Sequence, residues 1–288
     1  VRKWYYNEYD LISKTSYFRR VFDVQSSVKQ VETDGVLAGI GLFPEKPEGA
    51  NYEYDSPQQA YTVVYRHHTF ALGLSFTKEA QEDELYGLIP KSGKELGRAA
   101  AYSQEVSAWS LFNNLTATVY TADASNYTLL GSQFRVDGGT WTNQLSTNAD
   151  LSIESLELML SEWVTGMVDQ RGLMNLTMPK FLIHGPADKY LAYRLTRSVQ
   201  QPQTNDNDIN AVRAMDDLIP ICVPFLTNDG RWFIVGGPGE TGLVYFDRVG
   251  MSVDRFDTPE NGNVNMVARF RSSSGATHPA AIMGSQGA

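Results

Sequence analysis

One cysteine, four histidines and no long apolar run mark what this 288-residue chain does without. A lone Cys222 cannot close an internal disulfide, so no covalent staple holds the fold. Set between Ile221 and Val223, its thiol is expected in the core and not as a nucleophile. The histidines are His67, His68, His184 and His278, thin material for a metal centre; the adjacent pair in a strand would point to opposite faces. No window approaches the ~18 consecutive apolar residues that a membrane-spanning helix requires. No signal-peptide stretch follows Val1. Basic residues are also short, with 24 Lys and Arg against 33 Asp and Glu, a formal charge of −9. That balance argues against a protein that grips nucleic acid by neutralising phosphates.

Three patterns invite an enzymatic reading, and each lacks a required part. Gly237-Pro-Gly239-Glu-Thr-Gly242 follows an apolar strand, with Asp257 downstream, and spells a dinucleotide fingerprint. Its chemistry needs a helix N-terminus aimed at a pyrophosphate, whereas Leu243-Val-Tyr-Phe246 reads as another strand, making the glycines a turn. As a phosphate loop it also fails, because Leu243 stands where the lysine should be. Phe181-Leu-Ile-His184-Gly-Pro-Ala-Asp188 is similar to the strand end bearing the acid of α/β-hydrolases. No Gly-x-Ser-x-Gly elbow exists to supply the serine, and the next histidine, His278, is remote. The sequons at Asn114, Asn126 and Asn175 carry little weight without a secretory signal. No residue is therefore assigned a catalytic, cofactor-binding or metal-binding role.

What the chain does have is an unusual front half. Residues 1–34 mix Trp4, Tyr5, Tyr6, Tyr9, Tyr17, Phe18 and Phe22 with charged residues, basic ones in excess over the first twenty, and show little periodicity. Disordered tails are poor in aromatics, so this arm should lie on its own body or on another subunit. Residues 35–76 read as one oversized hairpin. A strand Val36–Leu42 leads to a tip punctuated by Pro44, Pro47, Gly49 and Pro57, and the chain returns through Ala60–Phe76, where Phe70, Leu72, Leu74 and Phe76 alternate. A projection of this length is marginal alone and should lean on a partner.

Helix follows. Thr77 opens an acidic turn with Glu79, Glu82, Asp83 and Glu84. Pro90 should kink or break it, and Ser92 with Glu95 should restart it as a capping box. Leu96, Ala99, Tyr102, Val106 and Trp109 then form one stripe of a helix over 93–114, about 33 Å long. Residues 121–150 read as loop and short strand. A second helix is capped by Ser152, lined by Leu156, Met159, Leu160, Trp163, Val164 and Met167, and ended by Gly172. Lys180–His184 is a buried strand, and Gly185-Pro186 should open a third helix with Asp188 in its first turn. After a polar loop Gln200–Asn210, strands Leu218–Leu226 and Arg231–Val235 flank Thr227-Asn-Asp-Gly230, a hairpin signal. Leu243–Asp247 and Val264–Arg271 complete a strand-rich end.

Taken in order, several blocks resemble the major head subunits of tailed phages. Ser75-Phe-Thr-Lys-Glu through Glu82-Asp-Glu-Leu-Tyr-Gly-Leu-Ile, Glu95-Leu-Gly-Arg-Ala-Ala and Leu111-Phe-Asn-Asn look like the approach to, and body of, that family's spine helix. Leu151-Ser-Ile-Glu-Ser-Leu-Glu, Pro179-Lys-Phe-Leu-Ile, Asn207-Asp-Ile-Asn-Ala-Val-Arg, Leu226-Thr-Asn-Asp-Gly-Arg-Trp-Phe-Ile and Ala281-Ile-Met-Gly-Ser continue the likeness over residues 36–285. It is strongest to the Mu-like branch of the Hong Kong 97-type capsid fold. The resemblance implies an α+β chain with an N-terminal arm (1–34), an extended β-hairpin loop (35–76), a peripheral domain with a long spine helix (77–150), an axial domain with a mixed sheet (151–248), and a return to the peripheral domain (249–288). It further implies self-assembly into pentamers and hexamers of an icosahedral head around double-stranded DNA, in a virion assembled in the host cytoplasm. Portal, decoration or scaffolding proteins would be its partners, and no membrane is involved. A start at Val1 would fit removal of a scaffolding segment by a maturation protease. Lys46 lies near the loop tip, where some such capsids crosslink, yet no acceptor motif is visible and that role is not carried over. Two rival readings stay open: an encapsulin-like cellular compartment shell, and an α/β hydrolase built on residues 181–188.

Overall fold

The computed structural model describes residues 2–83, 87–201, 209–228, 230–257 and 262–288. The chain begins with helix α1 (Arg2–Ser13), a 3-10 turn (Phe18–Arg20), and strands β1 (Asp23–Ser26), β2 (Val31–Leu37), β3 (Gln59–Arg66) and β4 (His68–Phe76). Helices α2 (Lys78–Glu82) and α3 (Leu88–Asn113) precede the short strands β5 (Thr118–Ala122), β6 (Ser125–Thr128), β7 (Ser132–Phe134) and β8 (Thr140–Thr142). Then come α4 (Ile153–Gly166), β9 (Phe181–His184), α5 (Lys189–Arg197), α6 (Ala211–Met215), β10 (Ile219–Cys222) and β11 (Trp232–Val235). The chain closes with β12 (Leu243–Asp257), β13 (Val264–Ala276), a 3-10 turn (Pro279–Ala281) and β14 (Ile282–Ser285). Among the described residues the strands form sheets ordered β1-β12-β13-β4, β10-β9-β11-β14 and β2-β3-β5-β6, with β7 and β8 as a separate pair.

The long helix is present, and Leu96 and Trp109 of the expected stripe are buried, but the buried face turns away from Tyr102 and Val106. Tyr102 and Val106 are exposed, while Gly93, Leu96, Gly97, Ala100, Ala101, Gln104, Glu105, Ala108, Trp109 and Phe112 are buried. The contact face sets small residues, Gly97, Ala100, Ala101 and Ala108, beside the large Leu96, Trp109 and Phe112. A Cβ on Gly97 would sit 2.6 Å from the Tyr5 carbonyl oxygen, so only glycine lets α1 lie this close. Pro90 does not break the helix either. It stands in the first turn, where a backbone amide has no intrahelical partner to lose. Ser92 therefore restarts nothing, and its hydroxyl donates to the Ile89 carbonyl at 2.9 Å. The expected acidic residue Glu84 lies outside the described residues, as do Asn207, Asp208 and Asp229.

The N-terminal arm is ordered by its own chain. Tyr5, Phe18, Val21 and Phe22 are fully buried, and Tyr5, Tyr9 and Ile12 share one face of α1 at helical spacing. Phe22 packs edge-on against Trp109 and Phe112. The seam is fixed by Glu105 of α3. Its carboxylate accepts from the Ser16 hydroxyl at 2.7 Å, the Tyr17 amide at 2.9 Å, the Phe18 amide at 3.3 Å and the Trp109 indole at 2.9 Å. A buried carboxylate with four donors is well satisfied, and it ties the start of the 3-10 turn to the helix.

The hairpin is shorter than expected. β2 pairs with β3 from Val31↔Arg66 to Leu37↔Gln59, whereas β4 leaves for another sheet and pairs with β13. The alternating Phe70, Leu72, Leu74 and Phe76 thus belong to a different layer from the loop. Helix α4 is capped by Ser152 as expected, with Ser155 completing the box, but it ends at Gly166 and leaves Val164 exposed. Gly172 instead occupies a left-handed turn (φ +79°). Helix α5 begins at Lys189, later than Gly185-Pro186 suggested.

β9 separates β10, to which it is parallel, from the antiparallel β11, so the expected 218–235 hairpin does not form. The mixed sheet instead carries β14 on its far side. Asn113, at the end of α3, holds the intervening chain by donating to the Phe225 carbonyl and accepting from the Thr227 amide. β12 runs on through residue 248 to Asp257, and β14 joins the mixed sheet. Hydrophobic packing of Trp109, Phe112, Phe233, Tyr245 and Ile282 joins α3 to both of these sheets.

Candidate assembly surfaces

The loop between β2 and β3 is the most exposed apolar feature of the molecule. Every residue from 42 to 58 is exposed, and Phe43 and Tyr54 are 97% and 92% accessible. No regular secondary structure forms across it. Pro44, Pro47 and Gly49 prevent ladder formation, and its apolar residues have nothing of their own to cover. Its base is rigid. Tyr61 of β3 stacks on Tyr120 at 4.0 Å, Tyr120 stacks on Tyr127 at 5.0 Å, and the Tyr61 hydroxyl donates to the Thr277 carbonyl at 3.1 Å. Burial pushes the Tyr65 and Tyr120 hydroxyls up to about 12.

One charged clasp holds the neck. Arg171 donates to both Asp55 carboxylate oxygens at 2.8 and 3.0 Å and to the Ser56 carbonyl at 3.1 Å. Asp55 also accepts from the Gly41 amide at 3.0 Å, and that hydrogen bond, then the arginine, holds its carboxyl below the ordinary carboxylate range. The turn bearing Arg171 is organised by Asp169, which accepts from the Arg171 and Leu173 amides. Lys46 lies 5.0 Å over the Tyr52 ring near the tip.

Two further surfaces are open. Tyr102 and Val106 of α3, with Phe70 of β4 and Val63 of β3, line a groove of about 770 Å³. On the mixed sheet, His184, Lys189, Tyr190, Tyr193, Pro220 and Cys222 line a groove of about 400 Å³. Cys222 is thus half-buried and not enclosed, because β10 is the edge strand of its sheet. Burial still pushes its thiol up, away from a nucleophile's range.

The residues that invited enzymatic readings are not gathered. The His184 ring contacts the Gly185 carbonyl oxygen at 2.7 Å, and burial lowers its pKa, while Asp188 stands at the head of α5. His278 accepts from the Ala280 amide and heads the 3-10 turn before β14. The Gly237–Gly242 segment is a turn, with the Glu240 carboxylate accepting from the Gly237 amide. His67 lies between Ser27 and Ser273, and His68 faces out. Among the described residues no group of three or more His, Cys, Asp or Glu could hold a metal ion, and no helix is long and apolar enough to cross a membrane. The Arg171 clasp and the Glu105 hub escaped sequence reasoning, since neither belongs to a motif and both join residues far apart in the chain.

The arm, projecting hairpin, long helix and mixed sheet together are the Hong Kong 97-type capsid fold. Residues 60–283 match the family model described as phage capsid protein, and the chain belongs to that family. Its role is structural, as a subunit of the virion shell that assembles with copies of itself. Solved structures agree in fold. The capsid of cyanophage P-SCSP1u superposes with a TM-score of 0.62 at 10% identity, covering 95% of this chain and 88% of that one. A virus-like particle from Pyrococcus furiosus gives 0.60 at 10% identity, covering 99% and 96%. Mycobacterium phage Adephagia gives 0.55 at 12% identity, covering 92% and 87%. Comparison with curated proteins finds no match. The fold alone thus spans phage heads and a virus-like particle, and the family match supports the phage reading over a cellular compartment or a hydrolase. It does not single out the Mu-like branch.

Proposed function

We propose that this chain forms the pentamers and hexamers of an icosahedral phage head that encloses double-stranded DNA without sequence-specific contacts. The observation that carries this reading is the loop of residues 38–58, whose Leu42, Phe43, Tyr52 and Tyr54 are exposed on a rigid base. Such a segment cannot offset its ordering entropy alone and gains burial by lying on a neighbouring copy. The division implied by family resemblance serves this role: an arm (1–34), an extended loop (35–76), a peripheral body around α3 (77–150), an axial body (151–248) and a closing segment (249–288). In this reading the chain carries no catalytic, cofactor or metal residue, and it is not an enzyme. A portal and decoration or scaffolding proteins complete a head built in the host cytoplasm. The net charge of −9 suits a container that holds DNA without gripping it. Mass measurement and electron microscopy of the purified protein test the proposal. Closed polyhedral particles are expected, and discrete monomers under every assembly condition would refute it.

A further inference from the structure

The loop is carried by the β2-β3-β5-β6 sheet, and two stretches of chain cross into that sheet from its β1-β12-β13-β4 neighbour. The first crossing runs from β1 to β2 through Ser27, and the second is the single residue His67 between β3 and β4. One run of hydrogen bonds joins both. His67 meets the Ser27 hydroxyl through Nε2 at 3.1 Å and the Ser273 hydroxyl of β13 through Nδ1 at 3.0 Å. Ser27 in turn donates to the Glu32 carboxylate of β2 at 2.8 Å, and its own amide donates to the Asp247 carbonyl of β12 at 3.1 Å.

The carboxylate at the end sets the direction of this run. Ionised Glu32, which also pairs with Lys29 at 3.2 Å, can only accept, so it takes the one hydroxyl proton of Ser27. His67 must then donate to Ser27 through Nε2–H, which leaves Nδ1 bare to accept from Ser273. Each member donates to the next, from β13 through both crossings to β2, and hydrogen bonds in such a series strengthen one another. Burial favours the neutral ring that this order requires, with Glu32 opposing it in part.

Packing alone does not aim the hairpin. Val63 and Tyr65 of β3 cluster with Val244 and Phe246 of β12, an apolar contact without directional preference. The ties of Tyr61, Tyr65 and Asp34 to the end of β13 all converge on Thr277, so they define a pivot and not an orientation. The Asp55–Arg171 clasp acts farther out, through an exposed ion pair on coil beyond the strands. The His67 run adds a second point of attachment at the hairpin's root, and two points fix a direction. We infer that His67 is the bolt that aims the loop: by joining both crossings to β13 it sets the angle of the β2–β3 hairpin against the body, and so the direction in which residues 38–58 project. That the aimed loop then meets another copy rests on the assembly proposal; the bolt itself does not.

Distances between two spin labels in the full-length unassembled subunit test the bolt. With Cys222→Ser removing the native thiol, labels on Leu37→Cys at the loop end of β2 and Val164→Cys on α4, both exposed, report the hairpin's angle. His67→Phe keeps an aromatic ring beside Phe246, 6.1 Å away, but can make neither hydrogen bond. It should broaden the narrow distance distribution of the parent protein. Ser27→Ala and Ser273→Ala break the run on either side of the ring, so each should broaden the distribution too, and neither should add to His67→Phe. The serine variants carry the test if the ring substitution prevents folding. Nitrogen NMR of the parent imidazole should show the Nε2–H tautomer. A broad distribution in the parent, a narrow and unshifted one in the variants, or a proton resident on Nδ1 would each overturn the inference. Because the subunit is unassembled, the bolt can fail while shells still form, and shells can fail while the bolt holds.

Discussion

The arm and the loop both carry aromatic residues, yet those of one are core and those of the other are surface. Phe18 and Phe22 are buried between α3 and the β12–β13 layer, while Phe43 and Tyr54 touch almost nothing. The difference lies in spacing and in what is opposite. Tyr5 and Tyr9 recur at helical spacing and face small residues on α3, so a close helix pair forms. The loop's aromatics are separated by Pro and Gly and have no facing surface on their own chain. Thinness in sequence therefore does not predict dependence on a neighbour; what decides is whether the chain supplies its own complementary face.

One deletion and three substitutions break or sharpen that contrast, taken from the largest effect downward. Deleting residues 43–58 should abolish or cripple shell formation while leaving the thermal midpoint of the subunit nearly unchanged, as read by microscopy and calorimetry. Normal shells from the deletion would remove the loop's bridging role. Trp109→Ala strikes the core that the arm shares, where the indole is fully buried, and should cost about 3–5 kcal/mol in denaturant unfolding. Glu105→Ala strands the four donors that fasten the arm. It should cost about 2–4 kcal/mol and expose residues 2–22 to proteolysis before the rest of the chain. Arg171→Ala removes only the clasp at the loop neck. Its melting should match the wild type, while exchange of residues 38–58 quickens measurably, because the exposed ion pair orders the loop more than it stabilises the fold.

Much of this architecture was legible because it follows local rules. Ser152 before an apolar run marked α4, the uninterrupted apolar stretch at Phe181–His184 marked a strand buried on both faces, and the Pro-Gly pattern marked the Gly237–Gly242 turn. What failed depended on distant partners. The buried face of α3 is legible at Leu96 and Trp109 but not at Gly97 and Ala101, because small residues signal contact only once a second helix is known to lie on them. The 218–235 hairpin was misassigned because β9, much earlier in the chain, inserts between its arms. Cys222 was placed in the core by its apolar neighbours, but edge position is a property of the sheet and not of the local sequence. Among the assembly surfaces, the loop's exposure could be read from its punctuation, whereas the Asp55–Arg171 clasp could not.

The central claim is that the arm is ordered by its own chain and the loop by another copy. Residue-resolved hydrogen exchange on the isolated subunit and on the assembled shell measures both at once. Residues 2–22 should be protected in both states, while residues 38–58 should exchange like an unstructured chain until the shell forms and become protected within it. A loop already protected in the isolated subunit, or an arm protected only in the shell, would contradict that division.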